Sequence, residues 1–221
     1  MAIIAYAEIR RRIGRYLGID TDAADWTASE VSAVTDIVNK GLREFYFPAG
    51  ETPHYWTFLR KATTLSLVDG TSWYDLPSDF VAMESVFSVG SGTVAIEQID
   101  AVLLRLKIAN EGASGSPLQF AVRKKSGALI YQAGFYPVPN ASISAECWYI
   151  FDPGDLSDAN TIPEGTADHS ETIIASCLAA AEMEMKPEAV SEGGGVFMPL
   201  FKQLLASSIA RDQRLSRGFG A

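Results

Sequence analysis

The hydrophobic period of this chain changes twice along its length, and no other feature limits its fold as strongly. Residues 3–17 place Tyr6, Ile9, Ile13, Tyr16 and Leu17 at helical spacing, with Arg10, Arg11, Arg12 and Arg15 largely on other faces and a stop near Gly18. Thr27 with Glu30 three residues later is a capping-box signature, and Val31, Val34, Ile37, Val38, Leu42, Phe45 and Tyr46 then keep helical period as far as Pro48. Between 61 and 151 alternation takes over in "TTLSLV", "VAMESVFSV", "LQFAVRK", "ALIYQ" and "SISAECWYIF", separated by Gly, Ser, Asn and Pro turns, the pattern of an antiparallel sheet. Within that region Ile99, Val102, Leu103, Leu106 and Ile108 predict one apolar face of a short helix. Helical spacing returns at "DHSETIIASCLAAAEMEM", with Asp168 and Glu171 in capping-box positions, and again at Phe197, Leu200, Phe201, Leu204, Leu205 and Ile209.

This order predicts an α+β fold: a helical bundle formed by N- and C-terminal helices, with a large antiparallel β-sheet insertion. The expected boundaries are 1–60 for the first bundle helices, 61–153 for the insertion, 154–210 for the last bundle helices and 211–221 for a basic tail, within one domain. A chain of 221 residues, 48% hydrophobic, is long enough to bury a core. Its longest apolar run, Ile173 to Ala181, falls short of the roughly 20 residues a membrane span needs. The N-terminus carries its arginines after its apolar residues, the reverse of a secretory signal, so synthesis and residence in the cytoplasm are expected. Cys147 and Cys177 sit among apolar neighbours, as small core residues do.

Charge excludes one class of function and suggests another. A net charge of −9 argues against wrapping DNA, because neutralising phosphates takes a surplus of Lys and Arg. From Asp155 to Glu192 nine acidic residues face the single Lys186, whereas Lys202, Arg211, Arg214 and Arg217 near the end face only Asp212.

Candidate chemistry is sparse. His54 and His169 are the only histidines, and neither has a Cys or His partner at metal-ligand spacing, so no metal site is expected. Asp20, Asp22 and Asp25 lack the central Gly and terminal Glu of a calcium loop. Gly193, Gly194 and Gly195 precede a helix without the Lys and hydroxyl of a P-loop, and read as a hinge. Ser114 in "GASGS" lacks the strand-turn-helix context of a nucleophile elbow. Arg123, Lys124 and Lys125 make a basic hairpin turn, either solvated or set against a phosphate backbone.

The stretch "TSWYDLPSDF" offers Asp75 and Asp79 as a carboxylate pair and Trp73 with Tyr74 as a stacking surface. No nucleophile or base accompanies them, and Pro77 forces an extended residue before it. The segment therefore reads as strand punctuation, with Trp73 and Tyr74 ending one strand and Phe80 and Val81 starting the next. Neither an enzyme nor a cofactor is expected. A carbohydrate-binding module using Trp73, Tyr74, Trp148 and Tyr149 is a competing reading.

Three segments carry a resemblance. "WYDLPSDFVAMESVFS" (73–88), "ALIYQAGFYPVPNASISAECWYIFDP" (128–153) and "TIPEGTADHSETIIASCLAAAEME" (161–184), in that order, resemble the head-to-tail adaptor, or connector, proteins of tailed bacteriophages. The shared features are an aromatic-Leu-Pro-x-Asp-Phe strand entry at Trp73, Tyr74, Leu76, Pro77 and Phe80, an aromatic-Pro-x-Pro turn at Tyr136, Pro137 and Pro139, and an Ile-Pro leading into an Ala-rich helix. The resemblance implies a structural protein of the virion neck, a dodecameric ring beneath the portal that extends the DNA channel and presents a surface to the next neck or tail protein. A tail-completion or tube-end ring protein is the rival within the virion. The implied partners are further copies of this chain, the portal, the downstream neck or tail protein and DNA in passage, with no membrane. Portal contact is expected from Phe197, Phe201, Arg211, Arg214, Arg217 and Phe219. A lumen-facing acidic set is expected from Glu164, Asp168, Glu171, Glu182 and Glu184, where like charge keeps DNA from sticking.

Overall fold

The computed structural model describes residues 3–20, 23–49, 54–90, 94–185, 187 and 195–217. The chain forms two compact units: Met1–Leu59 with Pro153–Ala221, and Arg60–Asp152.

In the first unit, helix α1 (Tyr6–Leu17) buries Tyr6, Ile9 and Ile13 and ends on Gly18 at φ 75°, a left-handed cap that glycine adopts without a Cβ penalty. Helix α2 (Ala28–Tyr46) starts in the capping box: the Thr27 side chain accepts from Glu30 N–H, and the Glu30 carboxylate accepts from Thr27 N–H at 2.8 Å. Val34, Ile37, Val38, Leu42, Phe45 and Tyr46 are buried. Helix α4 (Ser170–Met185) lies against α2 and is buried nearly all round, from Thr172 through Cys177 and on to Glu182. The two helices meet closely at Gly41, where a Cβ would stand 2.5 Å from Cys177 Cα. Ser176 Oγ donates to the Gly41 carbonyl at 2.5 Å across the same contact. The entry to α4 differs from the sequence expectation. A 3-10 turn, Ala167–His169, precedes the helix, Thr166 makes no side-chain cap, and Asp168 lies inside the turn. Ser170 Oγ accepts from Ile4 N–H instead, so the turn is tied to the N-terminal segment.

The second unit is two sheets. In the first, β1 (Arg60–Leu67) pairs antiparallel along all eight of its residues with β9 (Ile143–Phe151), Arg60 opposite Ile150 and Leu67 opposite Ile143. The other edge of β9 takes β3 (Phe80–Met83) and β4 (Ser88–Val89), and β5 (Val94–Ala95) continues from β4. In the second sheet the order is β2 (Trp73–Asp75), β8 (Tyr131–Tyr136), β7 (Gln119–Lys124) and β6 (Glu97–Gln98), where β6 runs parallel to β7. The alternation from 61 to 151 thus divides between two sheets, one of them mixed, and Leu67, Phe87, Phe120, Phe135, Cys147 and Tyr149 from both form one buried cluster.

Helix α3 (Ala101–Glu111) packs on β7 and β8 through Leu104, with Ala101, Ile108 and Ile99 beside it. Val102, Leu103 and Leu106, expected on its inner face, are 56, 55 and 46% exposed. Apolar residues surround this helix, so period alone could not choose a face; the line Ala101, Leu104, Ile108 wins because it meets Ala121 and Tyr136. Among the described residues no helix is long and apolar enough to cross a membrane.

Candidate interaction surfaces

The last helix, α5 (Phe197–Arg217), is held to its unit by a short apolar contact and polar anchors along its length. Phe201, with Phe197, Met198, Leu204 and Leu205 around it, packs on Ala175 and Ala179 of α4. The Phe197 ring meets Tyr16 edge-on at 5.3 Å. At the start of α5, the Glu182 carboxylate accepts from Val196 and Phe197 N–H, both at 2.8 Å, satisfying donors that a helix N-terminus leaves open and placing an anion at its positive end. Midway, Thr172 and Ser208 hydroxyls are hydrogen-bonded at 2.8 Å. Near the far end, Asp212, 2% exposed, accepts from Thr57 N–H at 3.1 Å and from Thr57 Oγ1 at 2.5 Å, and lies 3.1 Å from His54 Nε2.

This arrangement revises two site expectations. Phe201, assigned to portal contact, is buried within its own bundle, and Phe197 is partly buried there. Glu182, assigned to a lumen, is 6% exposed and occupied as a helix cap. Phe201 opens a line that continues through Ser208 and Asp212 at i+7 and i+11, which is the signal that α5 extends past residue 210; apolar counting could not see it because the later members are polar. Arg211 and Arg214 point away from that line and are exposed. Arg217 falls in the last turn of α5, and Phe219 lies outside the described residues.

The remaining acidic candidates are exposed, but neighbours partly offset the surplus charge. Arg10 pairs with Asp158 at 3.1 Å, Arg12 reaches Glu171 at 4.0 Å, Arg43 reaches Asp155 at 3.9 Å, and Lys40 lies 3.6 Å from Glu184. Glu164 and Asp168 are exposed; the backbone N–H of Glu164 donates to the Tyr46 hydroxyl at 2.8 Å, fixing the loop's course over α2.

The two histidines meet around Trp56. His54 and His169 centroids lie 4.7 and 5.1 Å from its ring, and Phe45 and Phe58 complete the cluster. Burial lowers the His169 pKa, favouring the neutral ring. Among the described residues no group of three His, Cys, Asp or Glu side chains could hold a metal ion. Asp25 closes a 3-10 turn (Ala23–Asp25) and Asp20 precedes it, with the Asp20 carbonyl accepting from Trp26 Nε1 at 2.6 Å; Asp22, Gly193 and Gly194 lie outside the described residues. Ser114 sits in a loop bridged to Val138.

In "TSWYDLPSDF" both carboxylates and the Tyr74 hydroxyl have structural partners. Asp75 accepts from Lys125 Nζ at 2.8 Å and Gln132 Nε2 at 2.7 Å, and these bonds hold its pKa below the usual carboxylate value. For Asp79, burial opposes ionisation, yet hydrogen bonds from Lys61 and Tyr149 outweigh it and also lower the pKa. Both groups are kept ionised, so they are not divided into an acid and a base. Tyr74 hydroxyl accepts from Val68 N–H at 2.7 Å and donates to the Thr71 carbonyl at 2.8 Å. The Trp73 ring covers Gly134 on one side, and the Arg123 guanidinium lies 3.6 Å from its centroid. Leu76 and Phe80 are buried, Pro77 stands between β2 and β3, and Tyr136 donates to Glu111. The Tyr136-Pro137 bond is cis, and the Pro139 carbonyl accepts from Gly70 N–H at 2.9 Å. Of the four proposed stacking aromatics only Trp148 is exposed, at 49%; strand alternation sends Tyr149 inward, so they do not form one surface.

A protein-family model described as SU10 adaptor protein matches residues 4–219, taking in both helical segments as well as the insertion. Among curated proteins none matches the chain. A match across nearly the whole length, over the helix, sheet, helix order the structure shows, extends the resemblance beyond the three segments that first carried it. The chain belongs to the SU10 adaptor protein family and is a head-to-tail adaptor of phage.

Proposed function

We propose that this adaptor forms a dodecameric ring under the portal, where it extends the DNA channel and offers an attachment surface to the next neck or tail protein. The observation that carries the reading is the family match over residues 4–219. In such a ring Arg211, Arg214 and Arg217, on the last turns of α5, are the groups for the portal, with Phe219 beyond them. Glu164, Asp168, Glu171 and Glu184 supply the negative lining of the channel, repelling the phosphates of DNA in transit. The ring assembles from chains made in the host cytoplasm.

Imaging of the chain mixed with portal-bearing capsids tests this reading. A ring at the portal vertex is expected, and a chain that stays unattached overturns it. For the portal contact, Arg211→Glu with Arg214→Glu is the informative variant, because both side chains are exposed; truncation after Ser207 would also remove Ser208 and Asp212, the anchors of α5. The charge-reversed chain is expected to keep its thermal melting and lose capsid binding. Undiminished binding would assign portal contact elsewhere.

A further inference from the structure

One cavity of about 590 Å³ opens along α2, between Asp36, Lys40, Arg43, Glu44, Phe47 and Asp155. Its cations are already engaged: Arg43 with Asp155 at 3.9 Å and Lys40 with Glu184 at 3.6 Å. The carboxylates of Asp36 and Glu44 make no hydrogen bond or ion pair within 4.0 Å among the described residues. Glu44 is partly buried, and burial raises its pKa against the opposing charge of Lys40, which makes no ion pair with it within 4.0 Å. Phe47 adds an aromatic wall. A pocket with two carboxylates outside any close ion pair and an aromatic side takes a cationic group with an aliphatic neighbour.

The chain presents such a group on its second unit. At the turn between β7 and β8, Leu129 is 90% exposed, more than any other large apolar residue described. Arg123 is stacked on Trp73 and Lys125 is paired with Asp75 at 2.8 Å, which leaves Lys124 exposed and without an ion-pair partner. Lys124 stands opposite Tyr131 in register, itself 38% exposed, so the tip joins one available cation to aliphatic and aromatic surface. A projecting apolar side chain and a matching pocket elsewhere on the same molecule make a head-to-tail contact, the kind that closes into a ring.

We propose that in the assembled adaptor the β7–β8 turn of one copy seats in the α2 pocket of the next, with Lys124 against Glu44 and Asp36 and Leu129 against Phe47. The proposal rests on the ring reading above and adds the surfaces that join its copies. The contact commits each copy to two different neighbours, one through its turn and one through its pocket.

The test follows assembly of the full-length chain, alone and on portal-bearing capsids, by sedimentation and native mass spectrometry. Lys124→Glu with Leu129→Asp is expected to raise the concentration for half-assembly about tenfold or more while leaving thermal melting unchanged, as loss of a charged and apolar anchor pair does. Glu44→Lys paired with Lys124→Glu is expected to recover part of that loss, which a merely destabilised fold would not do. A second readout uses Leu129→Cys mixed with Ala49→Cys under oxidation, where covalent dimers are expected only in the mixture; the native thiols are buried and do not compete. Rings that form normally from the turn variant, with no mixed disulfide, overturn the contact and leave the ring standing. A wild-type chain that assembles in neither setting overturns the ring reading, and the contact with it.

Discussion

At Gly41 the absence of a side chain sets how two helices meet. Helix α4 passes so close that any Cβ there would enter the backbone of Ser176 and Cys177. Gly41→Ala is expected to destabilise the fold by about 2 kcal/mol or more, read as a lower urea midpoint, since backbone on both sides leaves nothing flexible to give way. Trp73→Ala is expected to cost stability too, by uncovering Gly134 and freeing Arg123 from its stacking partner. The two thiols make a third residue-scale prediction. Burial pushes Cys147 up to about 12 and Cys177 higher still, so at neutral pH both remain protonated and inaccessible. A thiol reagent is expected to label neither in the native protein and both in denaturant; native labelling of Cys177 would mean that the contact between α2 and α4 opens.

For the elements, α1 and α5 show how charge and burial share the work of holding a helix. Glu8 of α1 accepts from Arg11 at 2.7 and 2.8 Å and from Arg12 at 2.9 Å, and these bonds lower its pKa from 4.5 to about 2. A depressed folded-state pKa gives stability that is present above the unfolded value and lost as pH falls from about 4.5 towards about 2. Glu8→Gln is expected to remove that part of the acid sensitivity in melting curves, modestly, because the side chain is 35% exposed and screened by water. Helix α5 depends more on buried polar groups. Asp212→Ala would strip Thr57 and His54 of their acceptor, at a cost of about 2–4 kcal/mol, and is expected to speed amide exchange in the second half of α5 before the rest of the unit. Uniform exchange across the unit would show instead that α5 has no separate opening.

At the level of the whole molecule, the insertion enters and leaves its unit on paired neighbours. Arg60 stands opposite Ile150 where β1 and β9 run side by side, so the two chain crossings are close together. Replacing 60–152 by a short Gly-rich linker is therefore expected to leave the helical unit folded, with cooperative melting and helical circular dichroism. Failure to fold would show that the helical unit needs the insertion.

Several features were legible in the sequence because their causes are local. The capping box at Thr27, the left-handed stop at Gly18, the strand break at Pro77 and the switches of hydrophobic period depend on residues within a few positions of one another. Tertiary structure decided what local period could not. It turned Val102, Leu103 and Leu106 outward on a helix apolar on several sides, split one run of alternation into two sheets, and drew Glu182 and Asp212 out of apparent surface charge into the anchoring of α5. A buried polar group is chosen by its partner, and Glu182 finds its own at Val196 and Phe197 while Asp212 finds its at His54 and Thr57, over 150 residues away. The residue types were present in the sequence; only folding brought their partners within hydrogen-bond reach.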